Sequence, residues 1–286
     1  MQMIVLNDLS FSGIFCKLLT PTNNMSLSPS NPPEGGWTTL IDELCAGTWR
    51  HPDTGDVCPP APYDKIVMAE DLHGLEAQLV TDVGMDAPYT VVADEQTWEA
   101  MGRRIAKALR SLGKVNEIIF KSPHASLSEV VNLKQKLVGA TSVIAVGSGS
   151  VNDLCKHATF QLGLRYSVFG TAASMNGYTS KTASMALESG LKVSLPSHAP
   201  AGFFADLKVS AEAPPYLAAA GFGDCLCRSV AQIDWWMSHR LFDTPYYEEP
   251  YLIEIKWKEK CPQVGIWSSY SRAKPISLHL RQRREC

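Results

Sequence analysis

The chain has 286 residues, which is enough for one large domain or two smaller ones. Hydrophobic residues make up 45% of the sequence and charged residues 19%, so a substantial core can be buried. The formal net charge is −3 and the basic stretch lies at the extreme C-terminus, which argues against a nucleic-acid or membrane-surface partner.

Eight cysteines are scattered along the chain and form no C-x-x-C pair. This distribution suits reduced thiols in a cytoplasm better than a disulfide framework or a cysteine zinc site. No run approaches the ~20 apolar residues of a membrane helix. Residues 1–19 lack the basic region and cleavage site of a signal peptide. We therefore expect a cytoplasmic protein with no membrane partner.

Residues 1–61 are rich in proline, which breaks helices and cannot donate a hydrogen bond within a strand. The sequence therefore predicts an N-terminal extension that is largely irregular. One short helix, WTTLIDELC at residues 37–45, is predicted within it.

From Tyr63 onwards, strand-like and helix-like segments alternate at intervals of about a dozen residues. Strands are predicted over 63–68, 88–93, 117–120, 142–146 and 166–169, and helices over 71–80, 99–112, 126–138 and from Ser150. The alternation predicts an α/β domain over 62–212, with a parallel sheet and helices on both faces.

A glycine turn follows the strand predicted over 142–146. Gly147, Ser148 and Gly149 lead to Ser150, whose hydroxyl is predicted to cap the next helix. Glycines allow close approach of a ligand, and the N–H groups at a helix N-terminus favour a phosphate. Such turns are also common without any ligand, so the turn alone is a weak signal.

The next predicted strand, over 166–169, leads into a second loop that is rich in small and hydroxyl-bearing residues, GTAAS at 170–174. Two such loops at the carboxyl ends of neighbouring parallel strands make a nucleotide crevice. Asp94 lies at another strand end, where it can accept a ribose hydroxyl or simply cap a helix, and both interpretations stay open.

A hairpin is predicted over 182–187 and 191–195, followed by a strand over 202–206 and a helical region from Pro214. Asp224 is predicted at the N-terminal end of an apolar helical stripe that contains Leu226, Val230, Ile233 and Met237. From the residues alone, Asp224 is a helix cap or the partner of Arg228 one turn away.

Three segments in order carry a family resemblance: AVGSGSVNDLCKHAT, FGTAASMNGYTSKTAS and AGFFADLKVSAEAPPYLAAAGFGDCLCRSVAQIDWW. They resemble the glycerol-1-phosphate dehydrogenase branch of the iron-containing alcohol dehydrogenase and dehydroquinate synthase superfamily, over roughly residues 62–250. The resemblance implies a Rossmann-like domain followed by a dehydroquinate synthase-like helical domain. It also implies an NAD- or NADP-dependent, metal-assisted oxidoreductase that interconverts dihydroxyacetone phosphate and glycerol 1-phosphate, a small phosphorylated polyol.

The resemblance also implies roles for particular residues. It implies cofactor contacts at Asp94, Gly147, Ser148, Gly149, Ser150, Val151, Thr171, Ser174 and Ser180. Asp224, in GFGDCLC, matches the family's metal-binding aspartate, for zinc, iron or nickel. Asn176 stands where many members have a substrate-contacting aspartate, and an amide keeps the acceptor oxygen while it loses the charge. Asp153 and Lys156 resemble positions near the cofactor, with solvent-facing helix residues as the alternative.

The family's two metal-binding histidines lie well downstream of its aspartate. Here His239 and His279 follow Asp224, but neither lies in a family motif, and we expect both at the surface. We interpret 213–251 as the start of the helical metal-binding domain and 252–286 as an atypical tail, as if that domain were cut short. The alternatives to the oxidoreductase are an inactive dinucleotide-binding remnant and a dehydroquinate synthase-like lyase. The oligomeric state, including a homo-oligomer, stays open.

Overall fold

The computed structural model describes residues 43, 45–50, 55, 57 and 61–246. Most of the helix predicted at 37–45, the tail predicted at 252–286 and His279 lie outside these residues. The division into four segments at 61, 212 and 251 stays a prediction. In the described part of the chain, no helix is both long and apolar enough to cross a membrane.

A six-stranded parallel sheet forms the centre of the molecule, in the order β1-β8-β5-β4-β2-β3. Its strands are β1 (Lys65–Ala69), β2 (Tyr89–Asp94), β3 (Val115–Phe120), β4 (Ser142–Gly147), β5 (Arg165–Gly170) and β8 (Gly202–Asp206). Two further strands, β6 (Thr182–Ala186) and β7 (Lys192–Pro196), form a separate antiparallel hairpin between β5 and β8 in the chain.

Helices follow most of the strands. They are α1 (Glu76–Asp82), α2 (Glu95–Thr97), α3 (Arg103–Leu109), α4 (Leu127–Lys136), α5 (Gly149–Leu162), α6 (Leu207–Glu212), α7 (Pro215–Leu226) and α8 (Arg228–Phe242). A π-helical turn, Trp98–Gly102, joins α2 to α3.

Side chains on the two faces of the sheet bury two hydrophobic clusters. In β4, Val143 and Ala145 belong to one cluster, with residues of α4 and α5, whereas Ile144 and Val146 belong to the other, with residues of α1 and α3. This division follows the alternation of side chains along a strand that is buried on both faces. The predicted parallel α/β fold with helices on both faces is confirmed.

The structure corrects several predicted helix ends. The helix predicted from residue 71 begins at Glu76, because Leu72 N–H donates instead to the Asp206 carboxylate (3.1 Å). The helix predicted over 99–112 begins at Glu95 and ends at Leu109, because Asp94 and Thr97 form a capping box at its start. The Ser126 cap is confirmed, since its hydroxyl accepts from Glu129 N–H (3.3 Å).

Two corrections concern candidate site residues. The Ser150 cap is wrong: α5 begins at Gly149, the N-cap position is Ser148, and no side chain caps this end. Asp224 does not begin a helix, because α7 runs through Gly221 and Gly223 and the break comes at Cys227. Asp224 therefore lies in the last turn of α7.

The apolar stripe predicted from Leu226 to Met237 is exposed rather than packed. The opposite side of α8 is covered by the chain that follows it: the buried Trp235 donates its indole N–H to Pro245 O (2.7 Å), and Tyr246 packs edge-on against its ring.

A buried ionic cluster fixes the helices to the carboxyl end of β8. Asp206 is 0% exposed and pairs with the Arg104 guanidinium, which also contacts the buried Glu76 (2.9 Å). Asp206 additionally accepts from Leu72 N–H and Val209 N–H (each 3.1 Å). Burial alone would raise the pKa of Asp206, but Arg104 and the two N–H donors outweigh burial and lower it.

We predict that Asp206→Ala lowers the free energy of unfolding by about 3–5 kcal/mol, because it leaves Arg104 without its buried partner and Leu72 and Val209 N–H without an acceptor. The matched control, Asp82→Ala, removes the partly exposed ion pair with Lys65, which water screens, and should cost far less. Urea unfolding at pH 7 measures both. Equal losses in the two variants would contradict the prediction. The stabilisation by Asp206 is present above pH 4 and is lost as the pH falls through its lowered pKa.

Candidate functional site

A cleft of about 480 Å³ lies beside the carboxyl ends of β4 and β5. Its walls come from the N-terminus of α5, the loop after β5, the β6–β7 hairpin, the last turns of α7 and Ala125 in the loop before α4. Six of the predicted site residues line it: Gly149, Ser150, Ser174, Asn176, Ser180 and Asp224.

The other predicted site residues lie behind this lining or apart from it. Gly147 and Gly170 end the paired strands β4 and β5, and Thr171 N–H donates to Gly147 O (3.3 Å), so the two predicted loops are neighbours. Thr171 and Val151 are buried, and Ser148 is half-buried. A side chain at Gly147 would meet Val151 Cβ at 2.8 Å, so these two positions support the turn by close packing.

Asp94 does not line the cleft. Its Oδ1 accepts from Thr97 N–H (2.8 Å), and Thr97 Oγ1 donates to Val146 O (2.8 Å), which fixes the start of α2 to the end of β4. The capping role left open by the sequence is therefore present, and the ribose contact stays a prediction.

Lys156 is fully buried and holds the loop after β5. Its ammonium donates to Gly177 O (2.8 Å), Ser180 Oγ (2.8 Å) and Thr182 O (3.2 Å), and Asp153 Oδ1 lies 3.6 Å away. Burial lowers the pKa of Lys156 to about 8, although the charge of Asp153 acts in the opposite direction. The solvent-facing alternative for Lys156 is wrong.

Asp153 connects α5 to the hairpin on the floor of the cleft. Its Oδ2 accepts from Ser184 N–H (3.2 Å). Burial raises the pKa of the Asp153 carboxyl group, and the positive charges of Lys156 and Lys192 counteract that shift. The hairpin's contribution to the cleft was not predicted; it comprises Thr182, Ser184, Lys192 and Ser194.

Asn176 and Asp224 are joined directly. Asp224 Oδ2 accepts from Asn176 N–H (2.9 Å), and Asn176 Nδ2 donates to Asp224 O (3.5 Å). The two residues implied for substrate and metal contact thus share one end of the cleft, although they are 48 positions apart in the chain.

The described residues do not complete a metal site around Asp224. Within 61–246 and the few described residues before it, no three histidine, cysteine or acidic side chains lie close enough to share a metal ion. His239 is half-buried on α8, where Nδ1 lies 2.7 Å from Thr244 O and the ring stacks on Tyr246. One carboxylate is fewer than the three protein ligands that a catalytic zinc usually has.

The fold and the position of the cleft define an α/β protein of the dehydroquinate synthase-like and alcohol dehydrogenase fold class. The family model of iron-containing alcohol dehydrogenase matches residues 67–214, just over half of the chain. The chain belongs to the iron-containing alcohol dehydrogenase family.

Relatives in this family carry a more specific name. The NAD(P)+ glycerol-1-phosphate dehydrogenase of Bacillus velezensis is 36% identical over 168 residues, which cover 55% of this chain and 42% of the relative. The chain therefore spans less than half of that relative's length.

Solved structures agree with the fold. Glycerol dehydrogenase from Schizosaccharomyces pombe has a TM-score of 0.51 at 24% identity, over 58% of this chain and 43% of that one. A 2-deoxy-scyllo-inosose synthase complexed with carbaglucose-6-phosphate, NAD+ and Co2+ has a TM-score of 0.50 at 18% identity, over 75% and 63%. At these identities the likeness supports the fold alone.

The packing at the glycine turn predicts opposite effects for two neighbouring substitutions. We expect Gly147→Ala to lower the free energy of unfolding by about 1–3 kcal/mol, because its Cβ would overlap Val151. Gly149→Ala is the matched control: its Cβ would meet only Met175 Sδ at 3.5 Å, and alanine is favoured over glycine in a helix by up to about 1 kcal/mol. Urea denaturation measures both, and a Gly149→Ala loss as large as that of Gly147→Ala would contradict this account.

The buried Lys156 predicts a pH dependence of stability. The folded chain releases the Lys156 proton near pH 8, whereas an unfolded chain keeps it to about pH 10.5, so the unfolded state binds more protons in between. Wild-type stability relative to Lys156→Met should therefore rise by roughly 2–3 kcal/mol from pH 8 to 10, at about 1.4 kcal/mol per unit. Lys181→Met is the control, at an exposed position outside the cleft. The difference in free energy of unfolding between the wild type and this variant should stay constant from pH 8 to 10. A difference for Lys156→Met that does not change with pH would refute the prediction.

Proposed function

We propose that this chain binds a nicotinamide dinucleotide in the cleft and acts as an NAD(P)-dependent oxidoreductase on a small phosphorylated polyol, with dihydroxyacetone phosphate and glycerol 1-phosphate as the pair interconverted. The observation that carries the proposal is the cleft itself, in which an uncapped helix N-terminus, a hydroxyl-lined loop and an Asn176–Asp224 pair face one space. The family and the name of the relatives support the same reaction.

The N-terminus of α5 is suited to the pyrophosphate of the cofactor. Its first N–H groups have no side-chain cap, and its 14 residues give a helix dipole whose positive end is here. Gly149 offers backbone without a side chain, and the exposed Ser150 offers a hydroxyl in the first turn. Gly147, Ser148, Val151 and Thr171 support this binding by fixing the turn from behind.

The other end of the cleft is suited to the polyol. The Asn176 side-chain oxygen can accept a hydrogen bond from a substrate hydroxyl, and the Asp224 carboxylate can accept a second one. Ser174 and Ser180 line the path between this pair and α5, where the nicotinamide would lie. The bound nicotinamide supplies the hydride acceptor or donor at C4, and the residues of the chain orient the substrate carbon towards it.

A divalent metal, zinc foremost, belongs to the proposal with Asp224 as one ligand. Because the described residues supply one carboxylate and no histidine to such a site, we assign no proton or hydride step to the metal. The same observation favours a second candidate function, a dinucleotide-binding protein without turnover.

The decisive experiment is a titration of the purified full chain with NADH and with NADPH, followed by nicotinamide fluorescence. We expect binding that Ser150→Asp weakens at least about tenfold, because a carboxylate in the first turn repels the pyrophosphate. An acidic side chain at a helix N-terminus does not destabilise the helix, so folding should be preserved. Ser128→Asp, in the first turn of α4 and outside the cleft, is the matched control.

Turnover separates the two candidate functions. Addition of dihydroxyacetone phosphate to the NADH complex, with and without Zn2+, should oxidise NADH, and Asp224→Asn should slow the reaction because it removes the carboxylate that accepts from the substrate. Binding of NADH without oxidation would establish the second candidate. If neither NADH nor NADPH binds to the wild-type chain, both candidates fail.

A further inference from the structure

The β6–β7 hairpin has two chemically different faces. Ala183 and Met185 of β6 are fully buried and belong to the core cluster that Leu195 of β7 also contacts. The alternate residues on the other face are polar. They are Thr182 and Ser184 on β6 and Lys192 and Ser194 on β7, and all four line the cleft. The polar residues of each strand thus occupy every second position, as the alternation of side chains in a strand requires.

Register brings these polar groups together. Ser184 lies directly opposite Ser194, and Lys192 lies opposite Ala186, two positions further along β6. Residues that oppose one another in an antiparallel pair have side chains on the same face, within reach of one ligand group. Ser184, Ser194 and Lys192 therefore cluster on a backbone that the core side chains hold in place, whereas Thr182 lies opposite Pro196, four positions from Ala186 along β6 and about 13 Å away.

Among residues 61–246 these four side chains have few competing partners, and the charge of Lys192 acts on the Asp153 carboxylate at longer range. Lys192 takes no part in an ion pair within 4.0 Å there, and the three hydroxyls make no side-chain hydrogen bond. The two carboxylates that share the cleft are both occupied: Asp153 with Ser184 N–H and Lys156, and Asp224 with Asn176 N–H.

We propose that the part of this polar hairpin face made of Ser184, Lys192 and Ser194 binds a phosphate group of the ligand in the cleft, with Lys192 as its positive charge. A phosphate matches the face because it accepts several hydrogen bonds at once and carries negative charge. A neutral polyol would leave Lys192 with only the Asp153 carboxylate, which also lies beside Lys156. The N-terminus of α5 lines the same cleft, so its positive dipole end would also favour a phosphate there. The inference rests on the proposed function for the source of that phosphate, which is the dinucleotide or the phosphorylated substrate.

The test uses calorimetric titration of the full chain at low ionic strength, where exposed charges are screened least. The ligands are NADH, dihydroxyacetone phosphate, unphosphorylated dihydroxyacetone and inorganic pyrophosphate. The variants are Lys192→Gln, which removes the charge, and Lys192→Arg, which keeps it. Lys181→Gln is the matched control, because Lys181 is exposed at the start of the same hairpin but does not line the cleft.

We expect Lys192→Gln to weaken binding of a phosphate-bearing ligand by about tenfold, the factor that corresponds to ~1.4 kcal/mol. Lys192→Arg should stay within about threefold of the wild type and Lys181→Gln within about twofold. A loss confined to NADH and pyrophosphate assigns the face to the cofactor. A loss confined to dihydroxyacetone phosphate assigns it to the substrate, and binding of dihydroxyacetone should not change in either case.

Failure of this inference is distinguishable from failure of the proposed function. If the wild type and Lys192→Gln bind NADH and dihydroxyacetone phosphate equally well, the hairpin inference is overturned and the proposed function stands. If the wild type does not bind NADH but binds pyrophosphate in a Lys192-dependent way, the hairpin inference stands and the proposed function is overturned. If Lys192→Arg loses as much affinity as Lys192→Gln, the charge is not the determinant and the inference is overturned.

Discussion

The Lys156 ammonium group links the helix that follows β4 to the loop that follows β5. It is buried in the interior, where an uncompensated charge would be very costly, and it is stabilised by three oxygen acceptors from the 177–182 segment and by the nearby Asp153. Because those acceptors belong to the loop and to the first residue of β6, the position of the cleft wall depends on this one group. Displacement of the loop would leave a buried cation with a single carboxylate partner. The lining residues Asn176 and Ser180 therefore keep their positions relative to α5.

The sequence predicted the parallel sheet well because its strands are short apolar runs that end at glycine or aspartate, as in Ser142–Gly147. Both loops at the carboxyl ends of β4 and β5 were located for the same reason. The N-cap of α5 was placed two residues too late, at Ser150 rather than Ser148, since a serine after two glycines is a strong cap signal. That signal misleads here because the Ser150 side chain faces the cleft and does not bond back to the helix.

Other errors have local physical causes. Gly221 and Gly223 suggested a break before Asp224, yet α7 continues through both, because glycine lowers helix stability without preventing a helix that begins with Pro215 and is supported by packing at Gly221. The π-helical turn at Trp98–Gly102 has no recognised sequence signal. The polar hairpin residues could have been found: KVS and TAS alternate polar and apolar residues, which predicts one face for the core and one for solvent or a ligand.

The hairpin also has a consequence for how such proteins diversify. It lies in the chain between β5 and β8, two strands that pair directly with each other in the sheet. Insertions, deletions or exchanges at its turn, residues 187–191, leave that pairing and its register untouched. Its polar face can likewise change one residue at a time while Ala183 and Met185 keep it anchored. Evolution can thus alter what the cleft accepts without rebuilding the sheet, and this hairpin is where we expect descendants of one ancestral fold to acquire different ligands.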